Sequence, residues 1–477
     1  MNRYINLLRS NWSIVVVGLL SPLLLFAVLP ILPTHDDWTS LTTPDFQPFF
    51  TKEHFLFYGY HWRPFDSWIG WLVGRNPQML FPAVNHILVV VGHVLCSLAV
   101  FRLLATLHFH QTAINIATVF FFMTPAVMAT VTAVDSQNQV FALTIDIVAF
   151  LCYIKQNKAK YILWPLLIFL ATLCKENGLM WALICPLLAY GFHLIDQKTL
   201  KKDTLIGILI MISYALVILL LPKDITIHPD YEPGMMKVVK NTIKFLFTSF
   251  ITVDYIYLLH QPSRNLLDAG ATLLLSLPFV YHLFFKQWKA FLCKQMLLII
   301  ICLFIAVGPH IITVFSMMHT YAGMALIAII IAFGIHQFKQ STKVVLISFL
   351  IWLMTAWVID IHLIHSSIQS GQTGKRMAQE AIRQTDTPVQ RVYVIIIEDD
   401  YPKLSSFCVI PYEAFGWGLA AKYETNYQWP ETISDTTIVR SSDAVEKARK
   451  MAVETLNSNQ YDCVWIVNHQ DIDVIKE

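Results

Sequence analysis

Neither a CxxC pair nor an HExxH, P-loop or GxSxG element occurs in this sequence. Their absence removes support for thiol-redox, zinc-metalloprotease, NTPase and serine-hydrolase readings. Charge is scarce as well: Asp, Glu, Lys and Arg make up 14% of 477 residues, and the net charge is only +2. So small an excess, spread over short separated loops, excludes a basic patch, and no nucleic-acid partner is expected. What the chain has in quantity is apolar side chain, 56% of residues with a mean hydropathy of +0.55. One water-soluble core cannot hide that much, so lipid must solvate most of it. The fold class expected is an all-α polytopic membrane protein carrying a small C-terminal α/β domain.

Apolar runs of about 20 residues, the length that crosses a bilayer, recur along the chain. They lie at 12–33, 82–104, 114–133, 138–154, 161–174, 178–195, 204–222, 266–285, 294–315, 319–338 and 342–364, eleven in all. The first is too long for a cleaved signal segment and lacks a small-residue cleavage site, so it reads as an uncleaved helix. Threading eleven spans puts Lys155, Lys158 and Lys160, then Lys198, Lys201 and Lys202, then Lys286, Lys289 and Lys294, then Lys339 and Lys343 beside the N-terminus. That is the positive-inside pattern. The first loop (34–81), the turns near Asp135 and Lys175, the loop 223–265, the turn at His319 and the tail then share the outer face. The run 161–174 is short and contains Pro165, and its loss would invert everything after it.

Two outer segments, 43–81 and 235–260, mix aromatic residues with cations and suit helices lying in the headgroup region, though the second also fits a solvated loop. The expected division is a membrane domain over 1–368 and an extracytoplasmic α/β domain over 369–477. In the latter "RVYVIII", "TTIVR" and "YDCVWIVN" read as strands, with a helix over 442–456. Cys408 and Cys463 both lie there, as a disulfide or as two buried thiols. The other six cysteines sit in or beside apolar runs with no metal-ligand spacing.

The chemistry-bearing residues gather at outer helix ends. Asp36 and Asp37 follow the first run, "HWRPF" (61–65) lies in the first loop and "VNH" (84–86) opens the second run. "AVDSQNQ" (133–139) and "CKENG" (174–178) join later runs. Each has a bland reading: a solvated loop start for the acidic pair, a snorkelling anchor for Arg63, a local pair for Lys175 and Glu176, and interfacial rings for His61 and His86. Convergence of charges from four connections is what a pocket between lipid and water requires.

In that order of elements the chain resembles the GT-C class of integral-membrane glycosyltransferases. It is most similar to the TMTC-type protein O-mannosyltransferases, with protein O-mannosyltransferases and the aminoarabinose transferases of lipid A more distant. The resemblance covers about residues 1–200, is thin to 365 and is absent from the tail, where the tetratricopeptide array of the TMTC pattern is missing. It implies an inverting transfer of a sugar from a polyprenyl-phosphate carrier to a protein, lipid or glycan hydroxyl on the outer face. A phosphate leaves as a stable anion, so a single base is enough, whereas glycosidases need a second carboxyl group. Asp36 would be that base, and Asp37 would hold it or bind sugar. Arg63, Lys175, His61 and His86 would bind the donor phosphate, where negative charge builds as the bond breaks. Asp135, Gln137, Asn138, Glu176, His319 and Tyr321 would bind sugar or acceptor. His319 stands where TMTC relatives carry an Arg.

The resemblance implies no resident cofactor and no metal. A divalent ion on Asp36, Asp37 and Glu176 is the alternative, since Mg²⁺ needs only one or two carboxylates. It also implies a multi-pass protein of a bacterial inner membrane with its active site and tail on the periplasmic side. Two other classes stay open: a glycolipid transporter or flippase, whose charges would line a path, and a scaffold displaying the tail, in which Asp36, Arg63 and Lys175 would be silent.

Overall fold

Each of the eleven apolar runs contains helix among its described residues, because a chain solvated by lipid must satisfy its backbone polar groups within the segment. The computed structural model describes residues 10–41, 46, 48, 55–56, 61–155, 157–220, 234–251, 262–285, 288–313, 315–337, 342–385, 391–397, 411–424, 433–439 and 443–476. Five helices are long and apolar enough to cross a membrane: Ala83–Thr106, Gln197–Leu220, Lys294–Ile312, Met317–His336 and Lys343–Thr385. Gln111–Met123 and Pro125–Val131, bent by 46°, would make a sixth together. The bend falls where Pro125 removes a donor and forces Thr124 into an extended conformation. Trp12–Val28, Gln137–Tyr153, Lys160–Cys174 and Gly270–Phe285 are shorter apolar helices. The chain is thus a multi-pass membrane protein.

Lys160–Cys174 runs unbroken through Pro165, the weak point of the sequence reading. Its first residue meets Asp203 and its last precedes Lys175, about 22 Å away along 15 residues of helix. A lysine-rich connection and an acidic turn therefore occupy opposite ends of this helix. Tyr321 to Ile335 is buried on every side, as an all-apolar helix at the centre of a bundle should be. Ile162, Leu209 and Leu220 mark the outward faces of peripheral helices.

The connection after the first helix holds a short antiparallel pair, β1 (Phe55–Leu56) and β2 (His61–Trp62), followed by the helix Pro64–Gly74. Much of 43–60, together with 221–233 and 252–261, lies outside the described residues. Met235–Phe250 is helical, exposing Met236, Val239, Ile243 and Leu246 at one-turn spacing while burying Asn241 and Phe245. That outward apolar stripe suits contact with lipid.

The last helix, Thr342–Thr385, spans 44 residues, about 66 Å, and passes residue 368 without a break. Beyond it stand β3 (Val392–Ile397), β4 (Ile433–Val439), β5 (Cys463–Asn468) and β6 (Asp471–Ile475), in the order β4-β3-β5-β6. β3 is parallel to β4 and β5, and β5 is antiparallel to β6. Alternation along β3 separates two faces. Ile395 and Ile397 pack on Ala444–Leu456, while Val392, Val394 and Ile396 face Met377, Ala378 and Ala381 of the long helix. Trp465 Nε1 donates to Thr385 Oγ1 at 3.2 Å, closing the joint. The fourth strand was not foreseen. Cys463 is a buried free thiol that burial pushes up to about 12, and Cys408 lies outside the described residues.

Candidate active site

Asp36 and Asp37 open a 3₁₀ helix, His35–Leu41, immediately after the first membrane helix. Their chemistry is the same, but their surroundings differ. Asp37 is 1% exposed. Its Oδ2 accepts from the Thr34 N–H at 2.9 Å, and its Oδ1 accepts from the N–H groups of Val134 at 2.8 Å and Asp135 at 3.0 Å. It thereby staples the 34–37 turn to the 133–137 turn. Burial, then the charge of Asp135, pushes its carboxyl well above the usual range despite those donors. Asp36 is half-buried and meets His35 Nδ1 at 3.2 Å.

Arg63 precedes a proline, which holds it extended and starts the helix Pro64–Gly74 behind it. Its guanidinium, 6% exposed, grips Glu176 with both arms, Nε to Oε2 and Nη2 to Oε1, each at 2.9 Å. Burial opposes the guanidinium charge, yet Glu176 outweighs it and holds the group above its ordinary range. Lys175 has extended backbone, φ −154° and ψ 136°, and ends the helix. Glu176–Met180 then turns as a 3₁₀ helix pressed so close that a β-carbon on Gly178 would lie 2.8 Å from the Ala171 carbonyl carbon. Lys175 is 3% exposed, and among the described residues its ammonium has no ion-pair or hydrogen-bond partner. Burial, then repulsion from Arg63, pushes it down to about 8, against the pull of Glu176, Asp135 and Asp66.

Asp135 stands between these groups. Burial and the charge of Asp36 raise its pKa, while Lys175, Arg63 and His35 pull it down. Asn138 Nδ2 donates to Asp66 Oδ2 at 2.8 Å. Asp66, at the third position of Pro64–Gly74, is pushed up to about 7 chiefly by burial. Gln137 turns its amide inward and donates to the carbonyls of Val134 at 2.8 Å and Asp135 at 3.3 Å, so it shapes the turn. His319 stacks on His310 with ring centres 4.0 Å apart, takes the Ser316 N–H on Nδ1 at 3.1 Å, and feels the charges of Lys175, Arg63 and Glu176. Buried oxygens of Asp66, Asp135, Ser136, Asn138 and Asn177 have no partner among the described residues. Such orphaned groups ask for water or a ligand.

The structure thus brings together Asp36, Asp37, Arg63, Asp135, Asn138, Lys175, Glu176 and His319. Two expected residues stand apart. His86 Nε2 bonds the Ile31 carbonyl at 2.9 Å, tying two membrane helices together. Tyr321 bonds His93 Nδ1 at 2.9 Å within the bundle and packs on Phe121, because the helix it begins is buried all round. His61 lies on β2, and its side chain is outside what the structure describes. Asp66, His35 and His310 were missed. Asp66 carried one signal, an acid in the first turn after "RP"; the other two carried none.

No three His, Cys, Asp or Glu among the described residues form a group that could hold a metal ion. Asp37 is bound to backbone N–H groups and Glu176 to Arg63, so two of the three carboxylates considered for a divalent ion are already engaged.

No family profile and no curated protein matches the chain. Solved structures do. ArnT from Cupriavidus metallidurans bound to undecaprenyl phosphate superposes with a TM-score of 0.54 at 11% identity, over 96% of this chain and 97% of that one. The same protein in the apo state gives 0.52 at 11% identity, over 97% and 96%. The Archaeoglobus fulgidus oligosaccharyltransferase in complex with Zn and sulfate gives 0.47 at 16% identity, over 95% and 67%, and nothing below rests on it. The resemblance to the GT-C class is thereby met at the level of the fold, and it extends through the tail, where the motifs had shown none.

Proposed function

We propose that this protein is an inverting glycosyltransferase that moves a sugar from a polyprenyl-phosphate carrier to an acceptor hydroxyl at the outer membrane surface. The observation that carries the reading is Lys175, a buried cation with no ion-pair partner among the described residues, beside a second buried cation, Arg63. A charge so placed opposes folding unless an anion joins it. The fold is that of ArnT, which holds undecaprenyl phosphate.

Asp36 takes the proton of the acceptor hydroxyl as its oxygen attacks the anomeric carbon. The bond from that carbon to the phosphate oxygen breaks on the opposite side, and the electron pair leaves with the carrier phosphate. Lys175 meets the charge that develops there, and Arg63, fixed in plane by Glu176, adds a second positive charge beside it. Asp37 keeps the acidic turn against the 133–137 turn. Asp135 and Asn138 supply hydrogen-bonding groups for sugar hydroxyls.

The reading takes eleven crossings, with the lysine-rich ends inside and the site and C-terminal domain outside. The test is turnover of a polyprenyl-phosphate-linked hexose or pentose by purified protein, read by mass spectrometry as released carrier phosphate and glycosylated acceptor. Turnover lost in Lys175→Met and Asp36→Asn, with both variants folded, supports the reading; full turnover in either overturns its assignment.

One observation favours transport instead. Asp146 and Asp360 are buried carboxylates inside apolar helices, with oxygens lacking a partner among the described residues. Movement of glycolipid across liposomes without bond formation, lost in Asp146→Asn, would establish that alternative.

A further inference from the structure

Glu413, on the turn Pro411–Ala414 of the C-terminal domain, reaches the acidic pair through one ring. His35 Nε2 lies 3.8 Å from Glu413 Oε1, and His35 Nδ1 lies 3.2 Å from Asp36 Oδ1. The ring bridges both because the His35 backbone is left-handed, with φ 49°. Packing fixes the same register independently. Trp38, 5% exposed, stands against Phe81 and Tyr423 with ring centres 6.1 and 5.7 Å apart. Gly416, at φ 60°, lies so close to the Trp38 ring that a β-carbon there would collide with it. Tyr423 Oη donates to the Phe81 carbonyl at 3.1 Å, and Gln78 Nε2 donates to the Tyr423 carbonyl at 3.1 Å. The segment 411–424 is therefore clamped on the 35–41 turn whether or not the ion pair forms.

We infer that Glu413 positions the Asp36 carboxylate through His35, so that the C-terminal domain completes the base of the transferase. The inference rests on the role given to Asp36 above. An imidazolium that engages one Asp36 oxygen fixes the plane in which the carboxylate meets the acceptor hydroxyl. When Asp36 takes the proton it ceases to be a counter-ion, and Glu413, with Asp37 on the ring's own turn, keeps the ring charged and in place. Asp36 and Asp37 face His35 from its own turn, Glu413 faces it from the C-terminal domain, and Asp135 from the 133–137 turn, where Lys175 and Arg63 act from the far side. Burial opposes the charged ring, but Asp36, then Glu413 and Asp37, push it up to about 9. Stability from the charged ring is complete below the ordinary value of 6.5 and is lost as pH rises through about 9.

The experiment follows the His35 ring by NMR in full-length, ¹⁵N-histidine-labelled protein. Its signal is identified by its loss in His35→Asn, a residue that tolerates left-handed backbone. Titration near 9 in the native protein, falling by one unit or more in Glu413→Gln and restored in Glu413→Asp, is the expected result. With saturating polyprenyl-phosphate-linked sugar, kcat falls in Glu413→Gln and its alkaline limb moves by the same interval, while KM stays near its native value. An unmoved titration overturns the proposal, and so does a moved titration with an unmoved kcat limb. Full turnover in Asp36→Asn with the Glu413 effect on the ring intact would instead remove the base assignment itself.

Discussion

Two buried lysines stand at opposite ends of one helix, and their surroundings are opposite. Lys160, its first residue, lies 3.0 Å from Asp203, which also accepts from the Tyr153 hydroxyl at 2.7 Å. Lys175, one residue past its last, is as buried and has no such partner among the described residues. Equal burial therefore carries different meanings. A cation with its counter-ion in place anchors helices; a cation buried alone costs stability and is kept where charge arrives from outside. The acidic pair repeats the lesson at shorter range, since Asp37 is consumed by three backbone donors while Asp36 faces a titratable ring.

The contrast can be broken in five ways. Asp36→Asn should cut transfer by about 10²–10⁴-fold with the protein still folded, read as product formation beside a thermal melt. Asp37→Asn, by contrast, should act mainly on folding. Lys175→Met should lose about 10²–10³-fold in turnover and leave the protein as stable or more so. Lys160→Met should reverse that pattern: turnover within a few-fold of native, and stability lower by about 3–5 kcal/mol because Asp203 is left unpaired. Chemical unfolding in detergent would separate the two lysines. The smallest effect is in pH. As Lys175 discharges through about 8, kcat/KM for the donor should fall. Stability should rise between about 8 and the ordinary 10.5, where the unfolded chain still binds the proton. Activity and stability moving together there would contradict a lone buried charge.

The helices were legible because lipid leaves no other way to satisfy a backbone, so an apolar run and its length say nearly everything. Lysines at one end of those runs told which turns share a face. Contacts between distant turns were not legible. Nothing in two adjacent aspartates says which one will meet the Val134 and Asp135 N–H groups, and Tyr321, expected at the surface, begins a helix sealed on all sides. Glu413 lies far along the chain from His35, and only the fold of the tail brings them together.

The helix Thr342–Thr385 passes from bilayer to sheet with no elbow. A shaft of that kind is stiff along its length, so the sheet at one end and the membrane-facing turns at the other share one rigid axis.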